Sequence, residues 1–116
     1  MSQATDFDVK QVILLDGPFG PAEVRQIREA ITRDHSNHAR LRDAVTEVQA
    51  KEELTPASMV RLGVALYFLG RYYRAIEVLK QADGGALAHY YLAKAYFARG
   101  EYQAAAESYQ IGRAHV

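Results

Sequence analysis

From residue 21 onward, apolar positions recur every three to four residues, the spacing of a helix with one buried face. Residues 21–33 carry Val24, Ile27 and Ile31 on such a stripe, with Arg25, Arg28 and Glu29 on other faces. Pro21 follows the turn cluster Asp16-Gly17-Pro18-Phe19-Gly20 and suits a first helical position, where its missing N–H would be unpaired anyway. Asp34-His35-Ser36-Asn37 breaks the stripe. Ser36 or Asn37 is then expected to cap a second helix reaching about residue 53, with Leu41, Val45 and Val48 on its apolar side. These two helices predict an antiparallel hairpin over 21–54. Thr55-Pro56 pairs a capping hydroxyl with a first-turn proline and starts a third helix, which runs to Leu69 and stops at Gly70. A fourth helix is expected over about 72–82, then a tight turn at Asp83-Gly84-Gly85. A fifth covers 86–99, Gly100 ends it, and a sixth spans 102–110. Residues 1–20 read as a flexible N-terminal segment. The apolar run within it, residues 9–15, is either extended or laid against a helix.

Residues 62–75 align with residues 92–105 at an offset of 30. Leu62-Gly63-Val64-Ala65-Leu66-Tyr67 stands over Leu92-Ala93-Lys94-Ala95-Tyr96-Phe97, and Gly70-Arg71-Tyr72 over Gly100-Glu101-Tyr102. A period in this range means stacked supersecondary units, each burying a face on its neighbour. The predicted fold class is therefore all-α. Small residues at Gly63 or Ala93, and at Ala75 or Ala105, admit close approach of two helix backbones, while large apolar residues fill the space between units. Gly70 and Gly100 accept the backbone conformation of a tight helix-ending turn.

Met59-x2-Leu62-Gly63-x2-Leu66 followed by Ala75-x3-Leu79, and His89-x2-Leu92-Ala93-x2-Tyr96 followed by Ala105-x3-Tyr109, resemble the tetratricopeptide repeat. That family's signature is W-x2-L-G-x2-Y then A-x3-F, with a period near 34 residues. Three departures stand out: the tryptophan is absent, no proline closes either copy, and the turn at 83–85 shortens the period. The resemblance covers 55–110 and implies a right-handed α-solenoid of about three antiparallel helical hairpins. Residues 21–54 would be a divergent hairpin or N-terminal cap, 55–85 a first repeat, and 86–110 an incomplete second one. It also implies a concave groove lined by the first helix of each repeat: Val60, Val64, Tyr67 and Phe68 in one copy, Leu87, Tyr90, Lys94 and Phe97 in the next. Such a surface, aromatic and aliphatic with one cation, suits a helix or extended peptide with apolar anchors. The competing expectation is that these aromatics pack against the neighbouring helix, or against Val12-Ile13-Leu14-Leu15 folded back into the groove. The family's chaperone-tail binders clamp a terminal carboxylate with lysines and asparagines. Val60, Val64 and Tyr91 occupy places where that clamp needs polar groups, so binding of that type is not expected.

Charge narrows the partners. Fourteen basic residues balance fourteen acidic ones, interspersed along the chain, so no net field draws nucleic acid or an anionic membrane. Neither is expected as a partner. With no cysteine there is no disulfide framework and no thiolate metal site. His35-x2-His38 has a chelating spacing but straddles a turn and lacks a third ligand nearby; His89 reads as a packing residue. No triad or paired-carboxylate arrangement follows from the spacing, and the glycines at 17 and 20 come without the lysine of a phosphate loop. The expectation is a non-catalytic protein without metal or cofactor. The first eight residues lack a basic region leading into an apolar stretch, and the four-residue apolar run at 12–15 is far short of the roughly 18 residues of a membrane span. A cytoplasmic location is expected.

The last six residues, Ile111-Gly112-Arg113-Ala114-His115-Val116, resemble the translation of a common sequencing-library adapter. They are expected to be a non-native tail that cuts the sixth helix before its final turn and leaves the second repeat uncapped. Three functional expectations follow: a scaffold binding another protein or peptide, the N-terminal regulatory array of a larger enzyme or transcription-associated protein, and a module that self-associates through its uncapped C-terminal end.

Overall fold

Local capping chemistry starts most of the helices. The Thr55 hydroxyl accepts from the Ser58 N–H at 3.1 Å ahead of Pro56. The Gly20 N–H donates to Glu23 Oε1 at 2.8 Å ahead of Pro21. Asp8 accepts from the Lys10 and Gln11 N–H groups at 3.0 and 3.2 Å. Each satisfies first-turn donors that have no partner inside the helix. In the computed structural model, which describes residues 7–82 and 85–114, seven α-helices and no strand follow. They are α1 (Val9–Leu14), α2 (Pro21–Arg33), α3 (Ser36–Gln49), α4 (Pro56–Phe68), α5 (Tyr72–Gln81), α6 (Ala86–Ala98) and α7 (Tyr102–Ala114). The chain measures 46 × 31 × 25 Å. Asp83, Gly84, His115 and Val116 lie outside the described residues.

The α4–α5 and α6–α7 pairs nest most closely, and they do so in the same way. Gly70 and Gly100 have φ of +78° and +80°, the left-handed region where a side chain is disfavoured. The Gly70 N–H donates to the Tyr67 carbonyl and the Arg71 N–H to the Leu66 carbonyl, both at 2.9 Å. Thirty residues on, Gly100 to Phe97 and Glu101 to Tyr96 repeat the two bonds at the same length. Gly63 meets the Leu79 side chain so closely that a Cβ there would overlap it.

Within the described part of the N-terminal segment, residues 7–20, α1 is a correction to the expected flexibility, and residues 9–14 lie against a helix, one of the two alternatives expected for them. Val9 and Ile13 are buried at 0% and 2% exposure, and the helix lies mainly on α3, with Lys10 paired to Glu47. α2 and α3 touch only briefly, so the expected hairpin is splayed and α1 provides most of α3's apolar contact. α3 ends at Gln49 rather than near residue 53. Asp34, not Ser36 or Asn37, supplies its first-turn acceptor: Asp34 Oδ1 takes the Ser36 N–H at 3.0 Å. Hydrogen bonds from the Ser36 backbone N–H and then its hydroxyl hold the Asp34 carboxyl below its ordinary pKa. Asn37 instead closes α2, its side-chain amide donating to the Ala30 carbonyl at 2.9 Å.

The buried apolar residues form one cluster running from α1 to α6. Arg61 sits among them at 5% exposure, donating to the Gly17 carbonyl and lying 5.6 Å from the centre of the Phe19 ring. It fastens the α1–α2 loop to α4. α7 continues past residue 110 to Ala114, and Gly112 is buried against α6 where an added Cβ would come 3.1 Å from the His89 Cβ.

Candidate functional site

α6 is apolar on nearly every face, so it cannot be buried on one side only. Ala88, Leu92 and Ala95 enter the core, Tyr91 meets α4, and Tyr90 and Phe97 emerge on the far side with 38% and 65% exposure. There the α6–α7 groove opens, about 510 Å³ in volume. Its walls include Tyr67, Tyr90, Lys94 and Phe97 together with Tyr102 and Tyr109 of α7. A second recess of about 520 Å³ adjoins it and shares Tyr90, Lys94 and Tyr109. Arg25 and Arg28 of α2, Arg113 of α7 and Leu87 also line that recess.

Half of the eight groove residues expected from sequence thus meet in the first groove. Leu87 joins Tyr90 and Lys94 in the second, while Val60 and Phe68 are half-buried against the core and line neither. Val64 is a correction: at 0% exposure it is a core residue and presents nothing to a partner. The expected packing of aromatics on the neighbouring helix holds for Tyr67 and Phe68, whose ring centres lie 5.4 and 6.0 Å from that of Tyr91. The folding-back of residues 12–15 into the groove does not occur, because α1 is committed to α3 and lines neither recess.

Aromatic geometry distinguishes the two repeats. Tyr67 and Tyr72 pair at 5.5 Å, and Tyr91 of the next helix lies on Tyr67. The equivalent pair, Phe97 and Tyr102, meets at 5.1 Å with 65% and 63% of each residue exposed. Lys94 places its ammonium 5.8 Å from the centre of the Tyr67 ring and 5.4 Å from that of Tyr90, within cation–π range of both. Burial raises the phenol pKa of Tyr67 and of Tyr91, and the nearby positive charge of Arg28 opposes the rise in each. The arrangement can grip an apolar or aromatic segment; among the described residues no group of three His, Cys, Asp or Glu side chains is placed to hold a metal.

Sequence reasoning missed Tyr102, Tyr109 and the three arginines as groove residues. Tyr102 carried a usable signal, standing at the offset of 30 from Tyr72. Arg25 and Arg28 carried none, since their meeting with α6 and α7 depends on how helices far apart in the chain pack together. No protein family, no curated protein and no solved structure matches this chain. Among the described residues no helix is long and apolar enough to cross a membrane.

Proposed function

We propose that this chain is a non-catalytic tetratricopeptide-like scaffold that binds a helix or peptide segment of another protein in the α6–α7 groove. One observation carries the reading: the exposed Phe97–Tyr102 pair is the counterpart of Tyr67–Tyr72, on which the next helix of the same chain is seated. The molecule therefore contains an example of what this kind of groove accepts. A helix with an aromatic residue at the place of Tyr91 would bury rings that already face each other, and large aromatic contacts dominate the energetics of such docking. The repeated glycine turns and the Gly63 notch support the family reading, because close nesting of helix pairs is what its small-residue positions require.

A synthetic peptide of residues 86–98 is the natural probe, since this segment already covers the equivalent groove of the preceding repeat. Titrated into the intact chain labelled with nitrogen-15, it should shift amide signals of α6 and α7. Phe97→Ala with Tyr102→Ala should weaken binding at least tenfold, a loss of about 1.4 kcal/mol, while the melting temperature stays unchanged. Unaltered binding by a folded double variant would sink the proposal. A second copy of the chain is the competing occupant, favoured by the exposed Tyr102 and Tyr109 along α7. Sedimentation decides it: a monomer at millimolar concentration excludes self-association.

A further inference from the structure

Among the described residues, Arg25, Arg28, Lys94 and Arg113 line the second recess and no carboxylate does. The ion pairs of the described residues lie elsewhere, at Lys10–Glu47, Arg74–Glu77 and Arg99–Glu101, so none of the four forms an ion pair among them. In a chain of fourteen basic and fourteen acidic residues, this is a local separation of charge. The cations come from three helices, α2, α6 and α7. Glu29 lines a neighbouring depression together with Arg25, Arg28 and Arg33.

The two recesses share Tyr90, Lys94 and Tyr109 and form one trough with unlike ends. The end at Phe97 and Tyr102 is apolar and aromatic; the end at Arg25, Arg28 and Arg113 is cationic. We infer that the trough takes an acidic polypeptide segment, with an apolar or aromatic side chain seated at the Phe97–Tyr102 end and carboxylates facing Arg25 and Arg28. This rests on the groove reading above and adds the charge of the partner. Polypeptide is favoured over nucleic acid because affinity for a phosphate backbone depends on a net basic field, which the balanced chain does not produce. Charge complementarity of this kind selects partners and accelerates their encounter, and it weakens as salt screens it.

Three peptides separate this inference from the groove reading: residues 86–98 flanked at both ends by pairs of glutamates, of glutamines or of lysines. Measured by fluorescence anisotropy at low salt, the glutamate form should bind about tenfold tighter than the glutamine form, and the lysine form weakest, given the modest strength of exposed ion pairs. The advantage of the glutamate form should vanish in Arg25→Gln/Arg28→Gln and at high salt, and survive in Arg40→Gln/Arg42→Gln, which removes the same charge from α3. Equal binding of the three peptides would overturn the acidic preference and leave the groove reading standing. Binding of none would overturn both. A single-stranded oligonucleotide that binds tighter than the glutamate peptide would overturn the choice of partner.

Discussion

A hydrogen atom in place of a methyl group at Gly63 sets how closely α4 and α5 nest. Glycine in a helix interior costs about 1 kcal/mol relative to alanine, so an isolated helix would gain from Gly63→Ala. In the folded chain the new Cβ would overlap Leu79 near its branch point, where the side chain cannot simply swing away. Overpacking of that kind costs about 1–3 kcal/mol, and the steric term wins. Gly63→Ala is expected to lower stability by about 1 kcal/mol in urea unfolding, and to become neutral or stabilising once Leu79→Ala has emptied the space. Equal effects in both backgrounds would refute the contact. The small-residue notches were legible in the sequence because the offset of 30 shows them twice. Val64 was misplaced for a related reason: it shares a register with Lys94, yet α4 has α1 and α3 on one side and α6 on the other, while α6 has no helix over its groove face among the described residues.

At the scale of the element, α1 shows how a short helix escapes periodicity. Six residues make fewer than two turns, too few to establish a period of 3.6, and the Asp8 cap is a single residue. An isolated helix of this length is unstable in water, so its formation depends on the tertiary contacts of Val9 and Ile13. Ile13→Ala should therefore destabilise the protein by about 2–4 kcal/mol, as deletion of a buried aliphatic side chain does. Lys10→Ala, which removes only the exposed pair with Glu47, should leave the melting midpoint within error. If the charge change proved the more damaging, the apolar account of α1 would be wrong. Arg61 makes the complementary point. It occupies the register of Tyr91, thirty residues earlier, but packs on Phe19 and the Gly17 carbonyl, because the α1–α2 loop rather than a repeat helix borders that site.

Across the whole molecule, stability is distributed as in a stack, where each unit depends on its nearest neighbours. The all-α class and the paired helices followed from the repeat, since nesting is local and recurs. The cationic end of the trough was not legible, because it brings residues 25 and 28 of α2 beside α6 and α7, and no spacing along the chain encodes how these helices pack. The same layout sets a gradient of local opening. α4 is packed between earlier and later elements and buries Leu62, Val64, Ala65 and Leu66; α7 packs chiefly on α6 and buries only Ala105, Ser108 and Gly112. Few buried apolar contacts mean a low free energy of local opening. In native-state hydrogen exchange the amides of α7 should exchange at least tenfold faster than those of α4. The glutamate-flanked peptide should slow α7, which lines the trough, and leave α3 unchanged, because that helix lies outside it. Equal protection of α4 and α7 in the free protein would show that the molecule opens as one cooperative unit, and slowing spread evenly over α3 and α7 would show that the peptide stabilises the fold without seating in the trough.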